Sequence, residues 1–150
     1  MMMESKEMPH SIKCEQALLG SILSNTESIY QIETLPCEFY KNQHEILFQE
    51  IRKHSLENQM WDTISLYDHL VKEGKLSGVG GVSYYMELQA LGITTVQLKY
   101  YEKQIREMYD LRNEIRIYQK ALEETFSGTS QSDGVIAKLM GKPAQMDYSV

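Results

Sequence analysis

Cysteine is nearly absent from this 150-residue chain: Cys14 and Cys37 are the only two, and neither belongs to a C-x-x-C pair. His10, His44, His54 and His69 are not at ligand spacing, so no metal site is expected and the thiols read as two buried groups in a reducing cytoplasm. No apolar run approaches about 18 residues, which argues against a membrane-spanning helix. The opening M-M-M-E-S-K-E-M lacks an apolar core, so no signal peptide is expected either. Positive charge is in short supply. A formal net charge of −6 argues against sequence-independent nucleic-acid binding, which relies on Lys and Arg neutralising phosphates. Alternation of apolar and polar residues is missing too, so no substantial sheet is expected.

What remains is helix after helix. A chain of this size buries roughly 70% of its unfolded surface and needs no staple. In P-H-S-I-K-C-E-Q-A-L-L-G-S-I-L, Pro9 to Leu23, Ser11 can cap a helix running to about Asn25. Its apolar residues Ile12, Cys14, Leu18, Leu19, Ile22 and Leu23 fill one arc of about 180°, with Glu15 at the centre. A carboxylate there is either an acid in a pocket or a structural group satisfied by backbone donors. A short helical turn around 27–32 follows, and Pro36 suits a first helical position. The next amphipathic run is 42–56, with Ile46, Leu47, Phe48 and Ile51 inward. Asp62 is a good N-cap for 63–73, and Gly74 a good residue just past its end. Ile64, Tyr67, Leu70 and Val71 are expected to form that helix's inner face. A helix over 84–91 closes the series.

From Thr95 to Ser127 there is neither Gly nor Pro. Leu98, Tyr101, Ile105, Met108, Leu111, Ile115, Tyr118, Leu122 and Phe126 recur at a mean spacing of about 3.5, the period of a helix laid along another helix. Glu102 and Arg106 stand four apart, as a helical ion pair would. Gly128–Gly134 reads as a flexible break, after which V-I-A-K-L-M leaves little room for a return helix. The expected organisation is a disordered tail over 1–8, a globular bundle over 9–92, a long association helix over 93–127, and a linker with a short helix and tail over 128–150.

Chemical motifs are scarce. S-G-V-G-G-V-S, Ser77–Ser83, follows a helix rather than a strand and reads as an interhelical turn, with Gly80 and Gly81 structural. L-M-G-K-P-A, Leu139–Ala144, has the tail of a Walker A loop. Ile136, however, stands where its first glycine is needed, and Pro143 where a hydroxyl must hold magnesium. No nucleotide, catalytic or cofactor site is expected. Trp61, just ahead of a helix cap, is expected to anchor a junction. The pairs Tyr84-Tyr85 and Tyr100-Tyr101 could stack on bases, but at helical spacing in an acidic chain they read as packing or protein-interface residues.

Several separated blocks resemble the N-terminal domain of the bacterial replicative DNA helicase of the DnaB type. They are E-Q-A-L-L-G at Glu15–Gly20, E-F-Y-K-N-Q-H-E-I-L-F at Glu38–Phe48, D-T-I-S-L-Y-D-H-L-V-K-E-G-K-L at Asp62–Leu76, and G-V-G-G-V-S-Y-Y-M-E-L at Gly78–Leu88. The resemblance implies an all-α fold, a small helical bundle followed by a long helical hairpin. It further implies pairing of hairpins between protomers (a homodimer at least) and a collar that contacts primase or a loader. Set against that pattern, the sequence is expected to supply no RecA-like motor and only a curtailed second arm of the hairpin. M-G-K-P-A at Met140–Ala144 is similar to the family's own Walker A loop. In this frame Glu15 becomes a buried tether between the first helix and its neighbours. The expected function is a non-enzymatic oligomerisation and docking module of the primosome. The alternative is a stand-alone, mobile-element-encoded regulator that joins or blocks a host helicase.

Overall fold

The computed structural model describes residues 7–93 and 97–128. Among these, all regular structure is helical, as expected. Five α-helices follow in order: α1 Ile12–Ser24, α2 Asn42–Glu57, α3 Thr63–Lys72, α4 Gly81–Gly92 and α5 Leu98–Ser127. Short 3-10 turns occupy Thr26–Gln31, Pro36–Glu38 and Ser77–Val79.

The helix ends follow their local chemistry. The Ser11 hydroxyl accepts from the Cys14 amide, and the Asp62 carboxylate from the Ser65 amide at 2.8 Å. Ser65 Oγ accepts from the Asp62 amide in return, which closes a capping box. Gly80 and Gly81 take φ of 112° and 88°, a conformation that only glycine adopts without strain. They turn the chain from Ser77–Val79 into α4.

One compact unit runs to Tyr109, and a second begins at Asp110. The first has a single core, in which Leu18, Leu19 and Ile22 of α1 meet Leu47, Phe48 and Ile51 of α2, Leu66 and Leu70 of α3, and Leu88 of α4. Trp61 is buried in the same core. Its closest joint is α1 against α4, where Gly20 faces Gly92 with their backbones in direct contact.

The structure departs from the sequence reading in four places. The core does not close at Gly92: Ile105 of α5 is fully buried in it, and Leu98 and Tyr101 pack against it. The inner face of α3 is Leu66 and Leu70, whereas Ile64 and Val71 face outward because the apolar arc of α3 is wider than the core can cover. Cys37 is exposed and Cys14 half-buried, rather than both being interior. Glu102 bonds to the 33–34 backbone, while Arg106 reaches Glu38 at 3.2 Å. The expected tail over 1–8 lies outside the described residues up to Lys6, and the linker, short helix and Walker-like loop lie outside them from Thr129 onward.

Candidate functional site

Glu15 is the hub of a polar chain buried between three helices. Its Oε2 accepts from the Tyr40 amide at 2.6 Å, and its Oε1 from the Lys41 amide at 3.3 Å and from His44 Nδ1 at 2.7 Å. Lys41 is the N-cap of α2 and offers no side-chain cap of its own. The carboxylate of α1 therefore caps α2 from outside, at the end where free N–H groups and the helix dipole favour negative charge. His44 Nδ1 donates to the Glu15 carboxylate, and its Nε2 shares a hydrogen bond with the Tyr84 hydroxyl at 2.6 Å. Gln16 Nε2 in turn donates to the Tyr84 oxygen at 3.0 Å. The order carboxylate, imidazole, phenol is that of an activated nucleophile. Here each of these groups is already occupied by its neighbours and the His44 ring is fully buried. The arrangement ties α1, α2 and α4 together. Its donors are the two amides just ahead of α2 and His44 within it.

A second buried carboxylate joins α2 to α3. Glu50 accepts from His69 Nε2 and from Lys75 Nζ, both at 2.8 Å. Burial opposes its ionisation, but the bonds from Lys75 and His69 outweigh that and hold the carboxyl below the usual range. One turn on, His54 Nε2 donates to Ser65 Oγ at 2.9 Å, and its Nδ1 faces the Asn58 amide nitrogen at 3.3 Å. Its ring lies 5.1 Å from that of His69. Burial, and then His69, push the His54 imidazole below its ordinary value, against the opposing influence of Glu57 and Asp62.

A third carboxylate, Glu102 of α5, accepts from the Glu33 amide at 2.7 Å and from the Thr34 amide and hydroxyl at 2.9 and 2.8 Å. Burial opposes its ionisation too, and these donors, with Lys99, hold it down. The bonds from Glu33 and Thr34 to Glu102 are not signalled by local sequence, since they join residues 68 and 69 positions apart.

Three shifts share one sign, whereas those of Lys75 and Tyr85 run upward and bear only on alkaline pH. His54, Glu50 and Glu102 all bind protons more readily in the unfolded chain, so stability falls as pH falls. The His54 share is complete above about pH 6.5 and the carboxylate share above about pH 4.5; each is lost as pH drops through the lower folded value. The melting temperature is expected to decline from pH 7.5 to pH 5, and His54→Gln to flatten the upper part of that decline. A profile unchanged by His54→Gln would contradict the assignment.

The nine apolar residues of the long helix divide between two environments. Leu98, Tyr101 and Ile105 serve the core, and Met108 is half-buried. Beyond them Ile115 is half-buried and Leu111 exposed, while Tyr118, Leu122 and Phe126 are 55, 56 and 83% exposed. The tyrosine pairs do not form a stacking row: Tyr84 is held by His44, Tyr85 donates to the Thr63 carbonyl at 2.7 Å, and Tyr101 packs on the core. Trp61 sits edge-on to His54. Among the described residues, no group of three or more His, Cys, Asp or Glu side chains could hold a metal ion. Nor is any helix there long and apolar enough to cross a membrane.

Fold and site together define an all-α domain whose buried carboxylates Glu15, Glu50 and Glu102 are spent on contacts within the domain. Comparison with known proteins makes this specific. The family model of the DnaB-like helicase N-terminal domain matches residues 7–107, and the chain belongs to that family. It is 28% identical over 144 residues to the replicative DNA helicase DnaB of Leifsonia xyli subsp. xyli, covering 95% of this chain and 31% of that protein. It is 25% identical to the DnaB of Geobacillus stearothermophilus over 83% of this chain and 28% of the relative. The chain thus spans less than a third of the length of these relatives. The crystal structure of the N-terminal domain of DnaB helicase from Mycobacterium tuberculosis superposes with a TM-score of 0.77 at 20% identity, covering 89% of this chain and 95% of that one.

Proposed function

We propose that this chain is a non-enzymatic oligomerisation and protein-docking module of a replicative DNA helicase, self-associating through the distal half of α5. The observation that carries the reading is the apolar face of that half, where Leu111, Tyr118, Leu122 and Phe126 lie exposed at the spacing of a helix paired along its length. Monomeric proteins avoid contiguous apolar strips of this kind, and a second copy supplies an identical strip to cover it. Membership of the helicase family supports the same role, as does a likeness to a DnaB-like replicative helicase whose structure was determined with its interactions with primase (TM-score 0.70, 25% identity, covering 89% of this chain and 32% of that one). Primase or a loader is accordingly the partner class proposed for the assembled collar.

Leu111→Asp combined with Ile115→Asp places two charges within the strip and is expected to give a monomer. The compact unit up to Tyr109 should keep its melting transition. Leu122→Asp with Phe126→Asp, at more exposed positions, should give the same result. Sedimentation velocity reads the outcome, and an unchanged sedimentation coefficient in both double variants would rule out α5 as the interface.

A further inference from the structure

Ile64, left exposed by α3, and the half-buried Tyr67 line a groove of about 250 Å³ between α3 and α4. Ile64 and Tyr67 form one wall, and Val82 and Met86 the other, with Tyr85 between them. Ile64 is 70% and Met86 60% exposed. The floor is chemically closed, because the Tyr85 hydroxyl is spent on the Thr63 carbonyl and Gln89 reaches Thr63 Oγ1 at 3.3 Å. An occupant therefore meets carbon over most of the groove. Both walls are helices anchored in the core through Leu66, Leu70 and Leu88, so the groove exists before anything binds, and Met86 gives one wall some adaptability.

Charge decides what fits. No lining side chain is charged. Asp62 lies at the start of α3, near enough to Tyr85 to help burial push its phenol up; Asp68 follows Ile64 by one turn, and Glu87 follows Met86. α4 carries no cation at all. On α3, His69 is turned inward to Glu50, and Lys72 stands at the helix's last residue. Phosphate-rich surfaces, whether lipid or nucleic acid, are repelled by such a rim.

We infer that the α3–α4 groove docks a basic amphipathic helix of a partner protein, its apolar residues at i, i+3 or i+4 and i+7 seated on Ile64, Tyr67, Val82 and Met86 and its Lys or Arg residues beside Asp62, Asp68 and Glu87. This rests on the docking role proposed above but uses residues of α3 and α4, none of them in α5. The probe is a fluorescein-labelled, helix-forming peptide of about 18 residues with Leu at those positions and Lys flanking them. Anisotropy is expected to show saturable binding that weakens as salt rises. Ile64→Glu and Met86→Glu, both at exposed positions, should each weaken it about tenfold or more, and Asp68→Lys should weaken it without touching the apolar walls. The same peptide with Glu for every Lys should bind poorly.

Failure of the Lys peptide to bind would overturn the inference, as would binding indifferent to Ile64→Glu and Met86→Glu or equal binding of the Glu peptide. Loss of self-association in Met86→Glu would instead assign the groove to a second copy. Since Leu122→Asp with Phe126→Asp should leave peptide binding intact, failure of the α5 interface and failure of the groove are read separately.

Discussion

Gly20→Val is expected to lower the melting temperature by about 15 °C or more, corresponding to a loss above about 4 kcal/mol. A Cβ at Gly20 would overlap the Leu88 carbonyl and stand 2.9 Å from the Gly92 amide nitrogen. Inserting methyl groups into a packed core ordinarily costs about 1–3 kcal/mol, because side chains can shift. Here the opposing atoms are backbone, so relief requires α1 and α4 to move apart along their crossing, opening the core that Leu18, Leu19, Ile22 and Leu88 share. Gly78→Ala is the control, since a Cβ there meets only Ile46 Cδ1 at 3.8 Å and should change little. Thermal unfolding followed by circular dichroism checks both. A Gly20→Val protein that melts within a few degrees of wild type would contradict the close crossing.

Glu15→Ala is expected to cost about 2–4 kcal/mol. Removing the carboxylate leaves the amides of Tyr40 and Lys41 and the His44 Nδ1–H without the acceptor they share. It also uncaps α2, whose N-cap residue supplies no side-chain bond. Tyr84→Phe should cost less, about 1 kcal/mol, because it removes only the outer bonds to His44 and Gln16. Denaturant unfolding separates the two. A Glu15→Ala protein of wild-type stability that had lost partner binding would move Glu15 from framework to interface.

Most helix boundaries were legible because their causes are local: Ser11 and Asp62 cap, Gly74 and Gly80 turn, and Pro36 starts a turn; the start of α4 was not, since it begins at Gly81 rather than at the expected Tyr84. The location of Glu15 in an apolar arc was legible as well. Its donors were not, because Tyr40 and Lys41 reach it only when α2 is packed across α1. The same holds for Glu50, and for Glu102, whose one expected partner was Arg106. Their burial is visible only once Lys75 or Thr34 is brought to them. The face of α3 misled for a different reason. Of the stripe Ile64, Tyr67, Leu70 and Val71, Leu70 is buried and Tyr67 packs on the core, but Ile64 and Val71 are exposed, because a stripe says only that one side of a helix is apolar, not that this chain covers all of it. In the long helix, a single repeat serves two environments without a break. Leu98, Tyr101 and Ile105 answer to the core, whereas Leu122 and Phe126 are left facing outward, and the spacing is the same in both.

Multi-angle light scattering of the wild-type chain, carried out across concentrations up to the high micromolar range, tests the central claim most directly. Pairing through the distal half of α5 predicts a mass of twice the protomer's 17.4 kDa or a higher even multiple, falling to the single value in Leu111→Asp with Ile115→Asp. A well-folded wild-type protein that stays at 17.4 kDa throughout would contradict it.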